Sequence, residues 1–157
     1  MPIATSVREY LDRKHVKYDL LMHPPTHTAA HSAELAHVPG DQLAKAVILE
    51  DDNGYVMAVL PASHKLDLQA LGRELNRDGL TFADESELAT LFRDCERGAV
   101  PPLGSIYDID TVLDSGLADA PVIYFEAGDH LTLVRLKGDN FRGLMDDVPQ
   151  RSISHHL

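Results

Sequence analysis

Lys45 is the one charged residue in the apolar stretch 44–49, which reads AKAVIL. A lysine in such a place usually guards a sheet edge against aggregation, or extends its stem over apolar surface so that the ammonium stays in water. It can instead be held at a pocket, where it binds a phosphate or stabilises a developing negative charge. Taken alone, Lys45 favours the first interpretation, because exposed strand lysines are common and buried charges are rare.

The segment 98–104, which reads GAVPPLG, is the second feature that could do chemistry. Two glycines and two prolines within seven residues exclude a regular helix or strand. Glycine lets backbone N–H groups approach a ligand closely, and proline holds a loop in shape without further contacts. The segment could therefore donate hydrogen bonds to a carbonyl or a ribose, or it could be a rigid surface loop.

Hydrophobic periodicity predicts the elements that would position these residues. An Asn-Gly pair at 53–54 separates the apolar runs 44–49 and 55–60, which predicts a β-hairpin carrying Lys45. A second hairpin is predicted from residues 121–126 and 131–136. Short strands are predicted over residues 18–22, 80–82 and 106–109, and helices over residues 3–14, 29–36 (N-cap Thr28), 66–75 (capped by Asp67), 84–92 (N-cap Asp84) and 140–145.

The order of these elements favours an α+β fold. Hairpins lie next to each other and helices follow at irregular intervals, which is typical of a mostly antiparallel or mixed sheet. A chain of 157 residues fits one domain, 1–157, with a tail predicted from about Pro149. No signal-peptide pattern and no apolar run of roughly 20 residues is present, so we expect a cytoplasmic protein without membrane contact.

The net charge limits the partners that this chain can have. With 25 acidic and 14 basic residues, the formal charge is −11. Lys and Arg must neutralise phosphates in non-specific nucleic-acid binding, so the charge argues against DNA binding and against general RNA binding. It is less unfavourable for an enzyme that holds one terminal nucleotide.

Together and in this order, the motifs resemble the YbaK and prolyl-tRNA synthetase-associated editing domain family. The resemblance runs from about residue 5 to about residue 145. It implies an α+β domain with a curved, mixed sheet or partial barrel flanked by helices. The motifs are Lys45 in its apolar strand, the hairpin that follows, Lys65-Leu66-Asp67-Leu68 before a helix, Gly98-x-x-x-Pro102 with Gly104, and Glu126-Ala127-Gly128-Asp129-His130.

The resemblance implies a free-standing hydrolase that cleaves the ester between a wrong amino acid and its tRNA, without cofactor or metal. Lys45 would engage the phosphate or carbonyl of the charged terminal adenosine. The 98–102 loop would bind that adenosine and the aminoacyl carbonyl, and His130 would help size the amino-acid pocket. The implied catalytic residues are Lys45, Gly98 and Gly104, and the implied substrate-binding residues are Ala46, Ala99, Val100, Pro101, Pro102 and His130.

The sequence leaves several small amino acids as candidates for the one that is removed from tRNA. The 98–104 loop looks closer to the prolyl type, which is associated with removing alanine from tRNA for proline. Prolyl-type alanine editors usually have Asn where this chain has Ala46, so serine or threonine stays open. The YbaK type is associated with cysteine, which is a further alternative. The expected partner is the 3′ acceptor end of an aminoacyl-tRNA, with a synthetase or elongation factor as a second partner. A non-catalytic tRNA- or synthetase-binding module is the rival hypothesis.

Several other polar residues are given no role. Cys95 lies in a mixed-charge stretch without a strong thiolate stabiliser, so we expect a bystander. The histidine pair 155–156 belongs to the predicted tail. A metal site at three N-terminal histidines is disfavoured, because no Cys, Asp or Glu joins them at ligand spacing, and exposed or capping side chains are favoured instead. These three are His23, His27 and His31.

Overall fold

The computed structural model describes residues 4–24, 32–33, 36–96 and 99–157. Four helices are described from end to end: α1 Thr5–Arg13, α2 Leu68–Leu75, α3 Glu85–Leu91 and α4 Gly138–Leu144. The strands are β1 Asp19–Met22, β2 Leu43–Asp51, β3 Gly54–Pro61, β4 His64–Leu66, β5 Thr81–Phe82, β6 Asp110–Asp114, β7 Val122–Glu126, β8 Thr132–Lys137, β9 Gln150–Arg151 and β10 Ser154–His156.

Eight of these strands form one mixed sheet. Its order is β1-β8-β7-β2-β3-β6-β9, and β5 pairs with β2 beside this path. Both predicted hairpins, β2–β3 and β7–β8, are antiparallel, as is the pairing of β1 with β8. The contacts that join the hairpins to each other and to β6 are parallel, between β2 and β7 and between β3 and β6. The α+β fold predicted from the sequence is confirmed.

The β2–β3 hairpin is the centre of the sheet. Its pairing is continuous from Ala44↔Pro61 to Asp51↔Gly54. Gly54 has a φ of +118°, which only glycine adopts readily, and the carboxylate of Asp51 accepts the Asn53 backbone N–H at 2.8 Å. The Asn-Gly signal therefore predicted the turn correctly.

The two faces of β2 belong to different hydrophobic clusters, because successive side chains point to opposite faces of a sheet. Ala44 and Ile48 lie in the main core with helices α1 and α4. On the other face, Leu49 packs in a second cluster with α2, and Leu43 packs in a third with Ala33 and Leu133. Lys45 shares this second face with Leu43 and Leu49.

Side-chain caps set the starts of two helices. Asp67 accepts the backbone N–H of Ala70 at 3.0 Å, so α2 begins at Leu68 rather than at residue 66, which lies in β4. Asp84 and Glu87 form a capping box at α3, as the predicted N-cap requires. The predicted helix 29–36 lies mostly outside the described residues, although Ser32, Ala33 and Ala36 are helical.

Two predictions were wrong. Residues 106–109 do not form a strand, because Gly104–Tyr107 is a 3-10 turn and β6 begins at Asp110. The left-handed φ of Asp108, +57°, ends that turn and breaks the extended run that the sequence indicates. The segment from Pro149 is not a tail, because it forms β9 and β10 around Ile153, which is fully buried.

No helix in the described part of the chain has the length and apolar character needed to cross a bilayer.

Candidate active site

One edge of β2 loses its strand pairing at Lys45. The parallel pairing of β2 with β7 ends at Ala44↔Phe125, and its pairing with β5 begins at Leu49. Between these points, this edge of β2 has no strand partner among the described residues. Residues 45–48 therefore border a gap at the carboxyl end of β7, and ligands bind in α/β sheets where neighbouring strands diverge in this way.

The backbone of Ala46 faces this gap. The carbonyl of Ile48 accepts the Ala83 N–H at 3.0 Å on the β5 side, whereas the Leu43 carbonyl accepts the Ala62 N–H on the opposite side. Backbone polar groups of a strand alternate between its two edges. Ala46, two residues before Ile48, thus presents its N–H and C=O to the gap, where a ligand could accept and donate hydrogen bonds.

Lys45 is half-buried at the same place. Its Nζ donates to the carbonyl oxygen of His64 at 2.7 Å, so the start of β4 holds the ammonium. Burial lowers the pKa of Lys45, because leaving water disfavours the charged form. An ammonium partly withdrawn from water interacts more strongly with an incoming negative charge than an exposed one does.

Glu126 ends β7 on the same face of the sheet as Lys45. Tyr124 pairs in register with Leu43, so continued pairing would set Glu126 beside Lys45. The carboxylate of Glu126 lies 3.2 Å from His23 Nε2 and accepts a hydrogen bond from the Ser32 hydroxyl. Burial raises the pKa of Glu126, while Ser32 and His23 oppose that shift.

The turn between β7 and β8 holds His130 rigidly. Asp129 accepts the backbone N–H groups of Leu131 at 3.0 Å and Thr132 at 2.9 Å, and also the Thr132 hydroxyl at 2.9 Å. His130 is buried and has a φ of +60°, a conformation that is uncommon for residues other than glycine. Such strain is kept where surrounding contacts over-determine it, often at functional sites.

The proline-containing loop is packed rather than exposed. Gly98 lies outside the described residues. Ala99, Pro101 and Pro102 are buried and Val100 is half-buried, and the Ala99 N–H donates to the Glu96 carbonyl at 3.1 Å. Leu103 joins the main core, on the face of the sheet opposite the Lys45 side chain.

Close packing explains why position 104 is a glycine. A Cβ at this position would lie 1.9 Å from Thr111 Oγ1 and 2.7 Å from the carbonyl oxygen of Ile109. The Gly104 carbonyl accepts the Ile109 N–H at 3.0 Å, which closes the 3-10 turn. Gly104 thus anchors the end of the loop against β6. Its predicted catalytic role stays a prediction.

The structure gives partners to residues that sequence reasoning passed over. His23 is buried against Glu126, so the interpretation of His23 as an exposed or capping side chain was wrong, and His27 and His31 lie outside the described residues. The signal that could have revealed this pair is an acidic residue ending the apolar run 122–125. Burial raises the pKa of Cys95 to about 12, which fits its interpretation as a bystander.

A family model matches most of the chain. Residues 23–144 match the family model of the aminoacyl-tRNA editing domain, and this span includes Lys45, the 98–104 loop and His130. The chain belongs to the aminoacyl-tRNA editing domain family.

A curated relative and two solved structures add to the comparison. Over 99 residues the editing domain is 26% identical to a proline–tRNA ligase of Pseudothermotoga lettingae, a match that covers 63% of this chain and 17% of the ligase. A crystal structure of a hypothetical protein has a TM-score of 0.83 at 22% identity and covers 96% of this chain and 99% of its own. A proposed trans-editing enzyme for prolyl-tRNA synthetase also has a TM-score of 0.83 at 22% identity, covering 99% and 98%. At this identity, the two structures establish the fold.

Strands β9 and β10 lie beyond the residues that the family model matches. In this chain β10 pairs with β4, whose His64 carbonyl accepts the Lys45 ammonium. The C-terminal strand β10 therefore contacts β4, the strand whose backbone accepts the hydrogen bond from the candidate catalytic lysine.

Proposed function

We propose that this editing domain is a deacylase that acts in trans and hydrolyses the ester bond of a mischarged tRNA, with alanine on tRNA for proline as the first substrate to test. The observation that carries the proposal is the half-buried ammonium of Lys45 at the point where β2 leaves β7. Membership of the editing family and the likeness to a proline–tRNA ligase support the choice of substrate class.

In this proposal Lys45 acts by electrostatic stabilisation. Its ammonium would contact the terminal phosphate or the ester carbonyl, where negative charge develops as water attacks. The attacking water oxygen bonds to the carbonyl carbon and loses a proton, the bond from that carbon to the ribose oxygen breaks, and the ribose oxygen takes up a proton. An aminoacyl ester is already activated, so positioning and polarisation can suffice without a protein nucleophile.

The neighbouring residues would bind the substrate. The backbone groups of Ala46 face the gap, and the 98–102 loop would hold the adenosine through backbone hydrogen bonds. His130, fixed by the turn around Asp129, would limit the size of the amino-acid side chain. A small pocket would fit alanine. The absence of an Asn at position 46 keeps serine and threonine open, and cysteine is a further alternative.

The test is a deacylation assay with tRNA for proline charged with alanine, serine or cysteine, beside correctly charged controls. Lys45→Met is expected to lower kcat/KM at least about 100-fold, the effect typical of losing one stabilising group. Lys65→Ala removes an exposed lysine of β4 and is expected to keep wild-type activity, so it controls for the loss of charge. Wild-type activity in a folded Lys45→Met variant would refute the role of Lys45.

The net charge of −11 favours a second candidate, a non-catalytic module that binds a synthetase or elongation factor. An acidic chain holds free tRNA poorly, and a partner would supply the missing affinity. Stable partner binding without turnover of any mischarged tRNA would favour the module. Turnover without a partner would favour the deacylase.

A further inference from the structure

Two histidines face each other across the β4–β10 pair. His64 and His156 are direct antiparallel partners, and their ring centroids are 5.2 Å apart. Side chains at such positions lie on the same face of the sheet and interact. Asp41, in the 3-10 turn Gly40–Gln42 before β2, reaches the same point, with its Oδ1 3.1 Å from His156 Nε2. One ligand atom from each of the three residues lies within 4.8 Å of the others.

Outer hydrogen bonds orient all three side chains. His156 Nδ1 donates to the carbonyl oxygen of Leu157 at 2.9 Å, and His64 Nδ1 lies 2.7 Å from the Ser154 hydroxyl. The Ser63 hydroxyl donates to Asp41 Oδ1. With both Nδ1 atoms engaged, Nε2 is the ring nitrogen that each histidine has left for a ligand. Metal-binding histidines are held by such bonds to the opposite ring nitrogen.

The spacing of His156 and Asp41 fits a shared metal ion. His156 Nε2 lies 3.1 Å from Asp41 Oδ1. Ligand atoms that share a tetrahedral zinc ion, with bonds of about 2.0–2.1 Å, lie roughly 3.3 Å apart. The His156–Asp41 distance is close to that value.

We propose that Asp41, His64 and His156 form a binding site for a divalent transition-metal cation, with zinc as the best fit. Two imidazoles and one carboxylate suit zinc, whereas magnesium and calcium prefer oxygen ligands alone. Three protein ligands leave a fourth position for water. The atoms need to move by about 1 Å to close on the ion, which the exposed side chains of Asp41 and His156 can do around the half-buried His64.

The cation would tie together three segments that are distant in the chain. It would join the turn before β2, the start of β4 and the C-terminal strand β10. His64 is also the residue whose carbonyl accepts the Lys45 ammonium at 2.7 Å. A bound cation would therefore hold the last strand in place and steady the backbone that supports Lys45, independently of whether the domain is a deacylase.

The test uses the full chain, stripped with a chelator and titrated with zinc chloride by calorimetry. We expect one zinc ion per chain and a Tm that rises by several degrees in excess zinc, because a ligand of the folded state stabilises it. His156→Ala and Asp41→Asn are expected to weaken zinc binding at least about 10-fold and to abolish most of the Tm shift. Magnesium chloride at the same concentration is expected to give neither effect.

The control is His155→Ala, which removes the adjacent histidine. Its side chain points to the other face of β10 and contacts Asp67 at 2.8 Å. This variant should bind zinc as the wild type does. The proposal is overturned if the wild type does not bind zinc stoichiometrically, or if it binds magnesium equally well. It is also overturned if His155→Ala and His156→Ala lose zinc affinity to the same extent. Matching circular dichroism spectra establish that the exposed substitutions leave the fold intact.

Discussion

Glu126 and Lys45 are ionisable groups of opposite sign that end up on one face of the sheet. Burial raises the pKa of Glu126 and lowers that of Lys45, so both shifts favour the neutral form. Contacts with His23 and Ser32 offset part of the free-energy cost of burying the charge of Glu126. The hydrogen bond to the His64 carbonyl offsets part of the same cost for Lys45. Perturbed groups of this kind cluster at functional sites, and here they flank the gap beside β2.

Glu126→Gln should change how stability depends on pH. The folded-state pKa of Glu126 lies above its ordinary value of 4.5, so between these two values the folded protein binds more protons than the unfolded chain. Wild-type stability is thus lost as pH rises through that window. The amide cannot ionise, so the free energy of unfolding of the variant, relative to wild type, should increase as pH rises above 4.5 and through the folded-state pKa of Glu126.

Urea denaturation at a series of pH values measures this difference. Glu9→Gln, at an exposed position of α1, is the matched control for the removal of one carboxylate. A Glu126→Gln difference that stays flat, or that decreases with pH, would contradict the direction of the Glu126 shift.

At the scale of elements, the candidate site depends on where the 99–104 loop ends. Gly104 packs against Ile109 and Thr111, and this contact sets the position of the loop relative to β6. The buried prolines 101 and 102 keep the segment in one conformation. Residues 99–104 are thus an anchored part of the core, in which Val100 is half-buried and the others are buried.

Gly104→Ala should destabilise the protein by about 1–3 kcal/mol, because the added methyl group overpacks a site with no space. Gly143→Ala is the comparison, since its Cβ would meet nothing within 4 Å on the exposed side of α4. That change should raise stability by up to about 1 kcal/mol through helix propensity. Thermal and urea denaturation measure both. Equal effects of the two substitutions would show that Gly104 is not constrained by packing.

At the scale of the whole molecule, charge decides how an RNA partner can approach. A net charge of −11 would repel the body of a tRNA, whereas the half-buried ammonium of Lys45 would offer one local cation. Under the proposed deacylase function, the domain would contact the acceptor end and few phosphates along the stem. A partner protein would then be needed for tight binding of the whole tRNA.

A minihelix that carries only the acceptor stem should therefore be deacylated with kcat/KM within about 10-fold of full-length tRNA. Because few phosphates are neutralised, log KM plotted against log salt concentration should have a slope of roughly 1. Steady-state deacylation at several salt concentrations gives both quantities. A loss of activity on the minihelix, or a steep salt dependence, would indicate extensive contact with the tRNA body.

The sequence by itself determined the central hairpin turn, two helix starts and the family. Asn53-Gly54 specified the central turn through a positive φ, Asp67 and Asp84 specified helix starts through capping, and ordered short motifs indicated the editing family. These signals depend on neighbours in the chain. The roles of Lys45, the 98–102 loop and His130 stay predictions.

Only the tertiary structure decided which residues that are distant in the sequence come into contact. The segment after Pro149 forms strands because Ile153 fills the cluster beside α2, a contact that no local pattern encodes. His23 meets Glu126 because β1 and β7 both flank β8, and His156 meets His64 because β10 pairs with β4. Such contacts follow from sheet order, which long-range packing selects among many arrangements compatible with the same local propensities.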